Sequence, residues 1–340
     1  MNLHTDIMEN TATGVSGDSW LKNVQINFSP SLAEIAELQD RYPANPFVTT
    51  AYAASRESCG HQVAVIEFES RPSEPHSCLA FVRRTRFGGF LDIPTLTDNI
   101  TVDHLDALYR AVRSRRLSHV SLDAYGSPTL LLPRSEHETE RIERTELYFD
   151  LTLPVTIENA ARTHRQRIRQ AQKQGLTLKL SKDEAAYNSH NALVAASMRR
   201  RSDRGENVQA AADNPELRAM AACDAGIFAQ AVAGTEVLSS MFVVRSRLTG
   251  YDQTSGSRPD GMKIGAAHFL IYSVAVWLQA QGATEFNLGG VRPEEIGLRA
   301  FKEGFGIETR TMQSVILGAE SAFVRAARSL YHRTRDFVRS

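Results

Sequence analysis

The chain is poor in cysteine, and the cysteines that it has are not paired. Its 340 residues include only three, Cys59, Cys78 and Cys223, and no two of them form a CxxC pair. An odd number of separated cysteines indicates neither a disulfide framework nor a zinc site. The sequence also lacks HExxH, GxxxxGKS/T and GxSxG, the signatures of common metalloproteases, P-loop proteins and α/β-hydrolases. We therefore expect no metal site, and no motif supports a catalytic thiol or serine.

Net charge and long apolar segments are absent as well. The 39 basic and 39 acidic residues cancel, which excludes a globally basic nucleic-acid binder but not a local basic patch. The longest apolar run, residues 266–278, is shorter than the roughly 18 residues that a transmembrane helix needs. Residues 1–20 lack the basic start and apolar core of a secretory signal. We expect a cytoplasmic protein with no integral membrane segment, and its oligomeric state stays open.

The first half, residues 23–150, predicts one α/β domain in which helices and strands alternate. It follows a polar stretch, residues 1–22, that we expect to be a disordered tail. Arg83 and Arg84 lie in a basic, glycine-bearing segment at a predicted strand end. They are interpreted either as ligands for an anionic substrate or as a solvated charge run.

A run of basic side chains without acidic neighbours opens the second half, residues 151–318. The run lies on a helix predicted from Thr156, as N-cap, to Gln174, with Gly175 following its C-terminus. Solvated helices ordinarily mix charge signs, so an unopposed run indicates a phosphate-rich partner, unless acids elsewhere in the fold neutralise it. The basic residues on this helix that we consider for binding are Arg165, Arg167, Arg169 and Lys173. Residues 319–340 predict a further basic helix.

The elements after this helix follow a recognisable order. A strand and helices precede an antiparallel meander, then come a helix that is apolar nearly all round, a strand, a short helix and a last strand. This order resembles that of a GNAT-type acyltransferase domain. The resemblance implies a splayed pair of strands that admits the acyl donor, with backbone N–H groups available to bind its carbonyl oxygen.

The stretch 286–306 (FNLGGVRPEEIGLRAFKEGFG) has the most informative pattern of glycine and proline in the chain. Gly289 and Gly290 end an apolar strand and let the backbone approach a ligand where a Cβ would clash. A helix with one apolar side then follows, and its pattern predicts that Arg299 and Lys302 emerge beside Phe301. The sequence thus predicts an aromatic side chain and a cation at a strand–loop–helix mouth.

Three segments resemble the FemAB-like family, peptidyltransferases built from two GNAT-like domains that move an amino acid from aminoacyl-tRNA onto an amine. They are residues 165–175 (RQRIRQAQKQG), 250–257 (GYDQTSGS) and 297–306 (GLRAFKEGFG). The resemblance covers residues 23–318. It implies an α/β (α+β) fold with two GNAT-like domains, 23–150 and 151–318, each a mixed, largely antiparallel sheet flanked by helices.

The resemblance also implies roles for particular residues. Lys302 would make a charge contact, and Phe301 would stack, at the aminoacyl-adenosine end of the tRNA, while Arg299 and the basic helix would bind the tRNA. Asn287 stands where many relatives have aspartate, which leaves the acceptor open between a peptidoglycan precursor and a small metabolite or peptide. The residues expected at the acceptor are Arg83, Arg84, Tyr251, Gln253, Asn287, Gly289 and Gly290.

Amide formation from an activated ester depends on positioning, which supplies roughly 7–11 kcal/mol, rather than on a side-chain nucleophile. This fits a sequence without a nucleophilic motif, and aminoacyl-tRNA would be a co-substrate with no further cofactor. Two alternatives remain. One is an acetyltransferase that uses acetyl-CoA, since Arg258 and Gly261 match the first half of the GNAT pyrophosphate loop. The other is a non-catalytic binding protein.

Overall fold

The structure, a computed structural model, describes residues 24–69, 76–85, 88–127, 131–206 and 213–318. The predicted tail at 1–22 and the predicted basic helix at 319–340 lie outside these residues. Among the helices described, none is long and apolar enough to cross a bilayer.

The first half alternates helices and strands, as its pattern predicts. Ser31 and Glu34 form a reciprocal capping box at the start of the first helix, and Thr101 and His104 form another at the start of the third. The elements are β1 (Val24–Asn27), α1 (Leu32–Arg41), α2 (Thr50–Ser58), β2 (Gln62–Phe68), β3 (His76–Thr85), β4 (Gly88–Ile93), α3 (Val102–Ser114), β5 (Leu117–Leu122) and β6 (Glu138–Asp150).

The second half contains the predicted meander, apolar helix and short helix. The elements are α4 (Arg162–Lys173), β7 (Thr177–Ser181), α5 (Glu184–Asp203), α6 (Pro215–Ala222), β8 (Gly226–Ala233), β9 (Glu236–Arg245), β10 (Thr249–Ser257), α7 (Pro259–Ile264), α8 (Ala266–Ala280), β11 (Glu285–Val291), α9 (Ile296–Glu303) and β12 (Glu308–Gly318). The start predicted for α4 was wrong. Thr156 bonds Asn159 in a short 3-10 turn instead, and α4 begins at Arg162.

The strands that the structure describes belong to one 12-stranded sheet in the order β1-β2-β3-β4-β5-β12-β6-β11-β10-β9-β8-β7. The pairs β4–β5 and β10–β11 are parallel and the other pairs are antiparallel. Each half therefore repeats the same unit, an antiparallel run followed by a parallel pair joined through a helix. This confirms the expected mixed, largely antiparallel architecture with two GNAT-like units. The boundary at residue 150 stays a prediction, and β6 lies between β11 and β12.

The two parallel pairs differ in one respect that positions the site. In the first half, β4 and β5 stay paired from Gly89 to Ile93. In the second half, β10 and β11 pair only as far as Tyr251 and Asn287, and then separate. Both strands are irregular at this point, since the β10 register skips Gln253 and the β11 register shifts before Gly290. The splayed strands that a GNAT-like fold implies are therefore present in the second half.

Apolar packing joins the halves on one face of the sheet. Phe47 and Tyr52 of the first half share a buried cluster with Phe228 and Phe242 of the second. Burial of aromatic side chains of this size typically stabilises a fold by about 1.5–3 kcal/mol each. The opposite face of the second half carries α8, packed between the sheet and α4. The face that joins the halves also holds a cavity of about 640 Å³.

Candidate functional site

A cavity of about 640 Å³ lies between the two halves, beside the point where β10 and β11 separate. Its volume is that of a site for a small molecule. The first half contributes Phe47, Tyr52, Arg56, Asp92, Asp123 and Tyr125 to its wall. It also contributes Arg144, from β6. The second half contributes side chains of α5, the bulged part of β10, the backbone of Gly289 and Gly290, and Lys302 of α9.

Lys302 is buried on α9, with 8% of its surface exposed, and its ammonium reaches the splayed strands. Nζ donates hydrogen bonds to the carbonyl oxygens of Leu288 at 2.5 Å and Gly289 at 3.1 Å. A lysine ammonium has three donors, so one remains for a ligand in the cavity. Burial lowers the pKa of Lys302, while Asp252 opposes that shift. Lys302 therefore faces inward, toward the cavity.

Asp252 faces Lys302 from the bulge of β10. Its Oδ1 is shielded from solvent and has no hydrogen-bond partner among the described residues. Burial raises the pKa of Asp252 to about 7, although the nearby Lys302 ammonium lowers it. A carboxyl group with such a pKa can gain and lose a proton near neutral pH, which is the property of a general base or acid. The cavity therefore holds a carboxylate and an ammonium suited to proton transfer and charge stabilisation.

A buried carboxylate, Glu146 of β6, holds these strands in place. The side chain is fully buried and its oxygens accept hydrogen bonds from Arg310, Asn287, Tyr251 and the backbone of Gly126. Asn287 also accepts from the N–H of Gly289, whose φ of +76° suits glycine. The network thus fixes the glycine pair whose carbonyl Lys302 contacts.

We predict that Glu146→Ala lowers the free energy of unfolding by about 3–5 kcal/mol, because it removes one of the two carboxylates that pair with buried Arg310 and leaves the Asn287 and Tyr251 donors without their acceptor. Arg310 retains Glu285 as a partner, so the lower end of that range is expected. Urea unfolding measures the change. Glu140→Ala, which removes an exposed carboxylate from the same strand, is the control and should stay within about 0.5 kcal/mol of the parent. Equal stability of the two variants would contradict the role of Glu146.

Phe301 does not share the cavity with Lys302. Successive helical residues point in different directions, and the Phe301 ring packs on the other side of α9 against His164, His268 and Phe305. The predicted common mouth for the two side chains is therefore corrected. The His164 Nε2 lies 2.8 Å from the carbonyl oxygen of Phe301, which ties α4 to α9. Stacking of Phe301 on a base stays a prediction.

The structure divides the residues expected at the acceptor. Tyr251, Gln253, Gly289 and Gly290 line the cavity. Asn287 is buried in the Glu146 network and supports the cavity from behind. Arg83 and Arg84 are exposed on β3 and do not line the cavity, because their strand lies away from the splayed pair.

The basic helix keeps most of its charge toward solvent. Arg167, Arg169 and Lys173 are exposed, while Arg165 is half-buried and donates to the carbonyl oxygens of Glu158 and Ala160. Within the described residues, the ion pair on this helix joins Arg169 to Glu158 at 3.4 Å, and both side chains are largely exposed. The unopposed basic face that the sequence predicts is thus nearly intact. Arg299 is exposed and pairs with Glu303 on its own helix.

Sequence reasoning missed Asp252, Glu146 and Arg144 as site residues. Asp252 lies inside the segment 250–257 that was singled out, but a strand pattern does not reveal a bulge. Glu146 had a signal, a charged residue in an apolar strand end, which typically marks a buried pair. Among the described residues, no group of three His, Cys, Asp or Glu side chains is arranged to hold a metal ion.

The fold, with its splayed parallel strands in the second half, is of the GNAT type. A family model for an acetyltransferase (GNAT) domain matches residues 158–303, which include α4 to α9. No curated protein matches the chain. Among solved structures, FemX is similar, with a TM-score of 0.60 and 11% identity over 85% of this chain and 96% of that chain.

Two other solved structures have the same architecture. L-PGS from Bacillus licheniformis has a TM-score of 0.50 and 12% identity, and covers 88% of this chain and 96% of its own. A tandem GNAT protein from the clavulanic acid biosynthesis pathway has a TM-score of 0.50 and 9% identity, and covers 88% of this chain and 100% of its own. These similarities confirm the expected FemX-like, double-GNAT fold. They show the fold and do not identify the donor or the acceptor.

Proposed function

We propose that the protein forms an amide by moving an aminoacyl group from aminoacyl-tRNA to an amine in the cytoplasm. The observation that carries the proposal is that the Lys302 ammonium and the Asp252 carboxyl line one cavity at the splayed strands and interact electrostatically there. On one side of this pair lies the cavity, which suits a small acceptor. On the other side, α9 contacts α4, whose exposed basic face suits a polyanionic donor.

The reaction requires a neutral amine beside an ester carbonyl. In the proposed step, the amine nitrogen attacks the carbonyl carbon of the aminoacyl ester, and the bond from that carbon to the ribose oxygen breaks. Asp252, as a carboxylate, takes the proton that the amine loses. The protonated Asp252 can then return a proton to the ribose oxygen as it leaves. Atoms and charge balance without a metal or a covalent intermediate.

Lys302 would stabilise the negative charge that develops on the carbonyl oxygen during this step. Its ammonium is held by two backbone carbonyls, so it is already oriented when the substrate arrives. Preorganised donors of this kind act strongly where water is excluded. The contact between His164 and the Phe301 backbone joins the donor-side helix to the helix that carries Lys302.

The exposed face of α4 would bind phosphates of the tRNA. We predict that removing its charges together (Arg167→Gln, Arg169→Gln and Lys173→Gln) weakens tRNA binding and reduces the slope of log K against log salt by about 2–3. Filter binding over a range of salt concentrations measures the slope. A matched variant that removes three exposed arginines outside this helix, Arg110, Arg113 and Arg134, should keep the parent slope. The prediction fails if both variants behave alike.

A second candidate donor is acetyl-CoA, because the matched family model is that of an acetyltransferase domain. The residues expected to cradle its pyrophosphate, Arg258 and Gly261, are both bonded to the carboxylate of Asp260, however. Arg258 pairs with Asp260 at 2.7 Å, and the residues that follow form α7 rather than an open loop. We therefore favour aminoacyl-tRNA.

The two donors are separated by one experiment. The protein is incubated with amine acceptors and either a pool of tRNA charged with labelled amino acids or labelled acetyl-CoA, and transfer of label is followed. Transfer from the tRNA pool supports the proposal. Transfer from acetyl-CoA alone would replace it with the second candidate, and transfer from neither would favour a binding protein.

A further inference from the structure

The cavity contains one arginine whose charge is not balanced by a carboxylate. Arg56 and Arg201 form ion pairs with Glu216 and Glu295 at 2.6 and 2.7 Å. Arg144 has no ion pair within 4.0 Å among the described residues. Its hydrogen bond is to the Tyr125 hydroxyl at 2.8 Å, and its Nε is buried with no partner. A guanidinium group has five N–H donors, so most donors of Arg144 are available to an anion.

Asp123, a carboxylate in the cavity wall, is not a full counter-ion for Arg144. Asp123 interacts electrostatically with Arg144 but accepts hydrogen bonds from Ser314 and from Ser121. Burial raises the pKa of Asp123, which disfavours its charged form. Tyr125 contributes a hydroxyl, which is not a counter-ion. The wall of the first half therefore offers a site for an anion that comes with a ligand.

The glycine pair brings this anion site next to the reactive pair. A Cβ on Gly290 would lie 3.3 Å from the Arg144 side chain, and a Cβ on Gly289 would lie 3.2 Å from the backbone oxygen of Asp252. Adjacent Cα atoms are about 3.8 Å apart, so Arg144 and Asp252 flank neighbouring residues of β11. Both residues also line the same cavity, so a ligand held by Arg144 can present another group to Asp252.

The dimensions of the cavity limit what that ligand is. About 640 Å³ accommodates an amino acid or a short peptide, and the lining combines charged and aromatic side chains. Planar, forked guanidinium groups recognise carboxylates through two parallel hydrogen bonds. A ligand with its amine at Asp252 and its carboxylate at Arg144 carries both an amino group and a carboxylate.

We infer that the acceptor is a small amine that also carries a carboxylate, a free amino acid or a dipeptide, and that Arg144 binds this carboxylate. That this molecule is the acceptor rests on the proposed aminoacyl transfer. Its binding at Arg144 does not, because binding requires no donor. Gly290 belongs to the same site, since a larger residue there would displace the Arg144 side chain.

Binding without any donor tests the inference. Isothermal titration of the full chain is carried out with the common amino acids and a set of dipeptides, each compared with its C-terminal carboxamide, and with inorganic phosphate. The best-binding acid is expected to bind about 10- to 100-fold more tightly than its amide, the value of a charge-assisted hydrogen-bonded pair. Equal binding of acid and amide, or binding of phosphate but of no acid, would overturn the inference.

Variants locate the effect. Arg144→Gln should remove the difference between acid and amide, and Arg144→Lys should retain part of it because the charge stays but the fork is lost. Arg110→Gln, an exposed arginine on α3, should leave the difference unchanged. An Arg144→Gln protein that unfolds at the parent temperature yet still prefers the acid would contradict the assignment. Preference for the acid without transfer from charged tRNA would reject the proposed function and keep this site.

Discussion

Lys302→Met is expected to lower kcat by about 10²- to 10³-fold, the usual effect of removing one preorganised donor from a developing oxyanion. Methionine retains most of the buried aliphatic chain, so packing of α9 changes little. What is lost is the ammonium that two carbonyl oxygens, of Leu288 and Gly289, hold beside Asp252. Steady-state transfer rates at saturating donor and acceptor measure the effect.

Lys179→Met, on an exposed position of β7, serves as the matched control and should retain the parent kcat. Circular dichroism and the midpoint of thermal unfolding establish that the Lys302 variant is folded. A purely structural role for Lys302 would lower stability and leave kcat per folded molecule near that of the parent. That outcome would end its assignment to charge stabilisation.

The order of elements could be predicted from the sequence because each element has its own local signal. Short turns separate the strands of the meander β8 to β10, and α8 is apolar nearly all round, so both elements were predicted in their observed order. The start of α4 was predicted wrongly. Threonine is a common N-cap residue, but the Thr156 side chain bonds Asn159 in the turn that precedes α4. Local preference does not identify which of two adjacent turns continues as a helix.

The site was harder to predict because it is made by contacts between distant residues. Lys302 was identified, but its burial depends on where α9 packs, which a local sequence pattern does not reveal. Asp252 becomes its partner because a bulge redirects β10, and bulges have no reliable sequence signal. Arg144 reaches the cavity because β6 lies between β11 and β12, a long-range pairing that local periodicity does not contain.

Asp252→Asn is expected to lower the rate by about 10²- to 10⁴-fold, the contribution of a positioned general base. The parent protein should lose activity as pH falls through about 7, where Asp252 becomes protonated. The raised pKa means that the folded state binds this proton more tightly than the unfolded state. The associated stabilisation is therefore present below about pH 4 and is lost as pH rises through about 7.

The pH profile distinguishes a base from a residue that only shapes the cavity. Plots of kcat/KM against pH should lose their acidic limb in Asp252→Asn. In Lys302→Met the acidic limb should remain but move to higher pH than in the parent, since the ammonium lowers the pKa of Asp252. If the two residues act as a unit, the double variant should be no slower than the slower single variant. An acidic limb that persists unchanged in Asp252→Asn would belong to the acceptor amine and would contradict the proposed base. Because Asp252 and Lys302 titrate against each other, a shift of the limb in one variant and its loss in the other would identify them as one proton-transfer site.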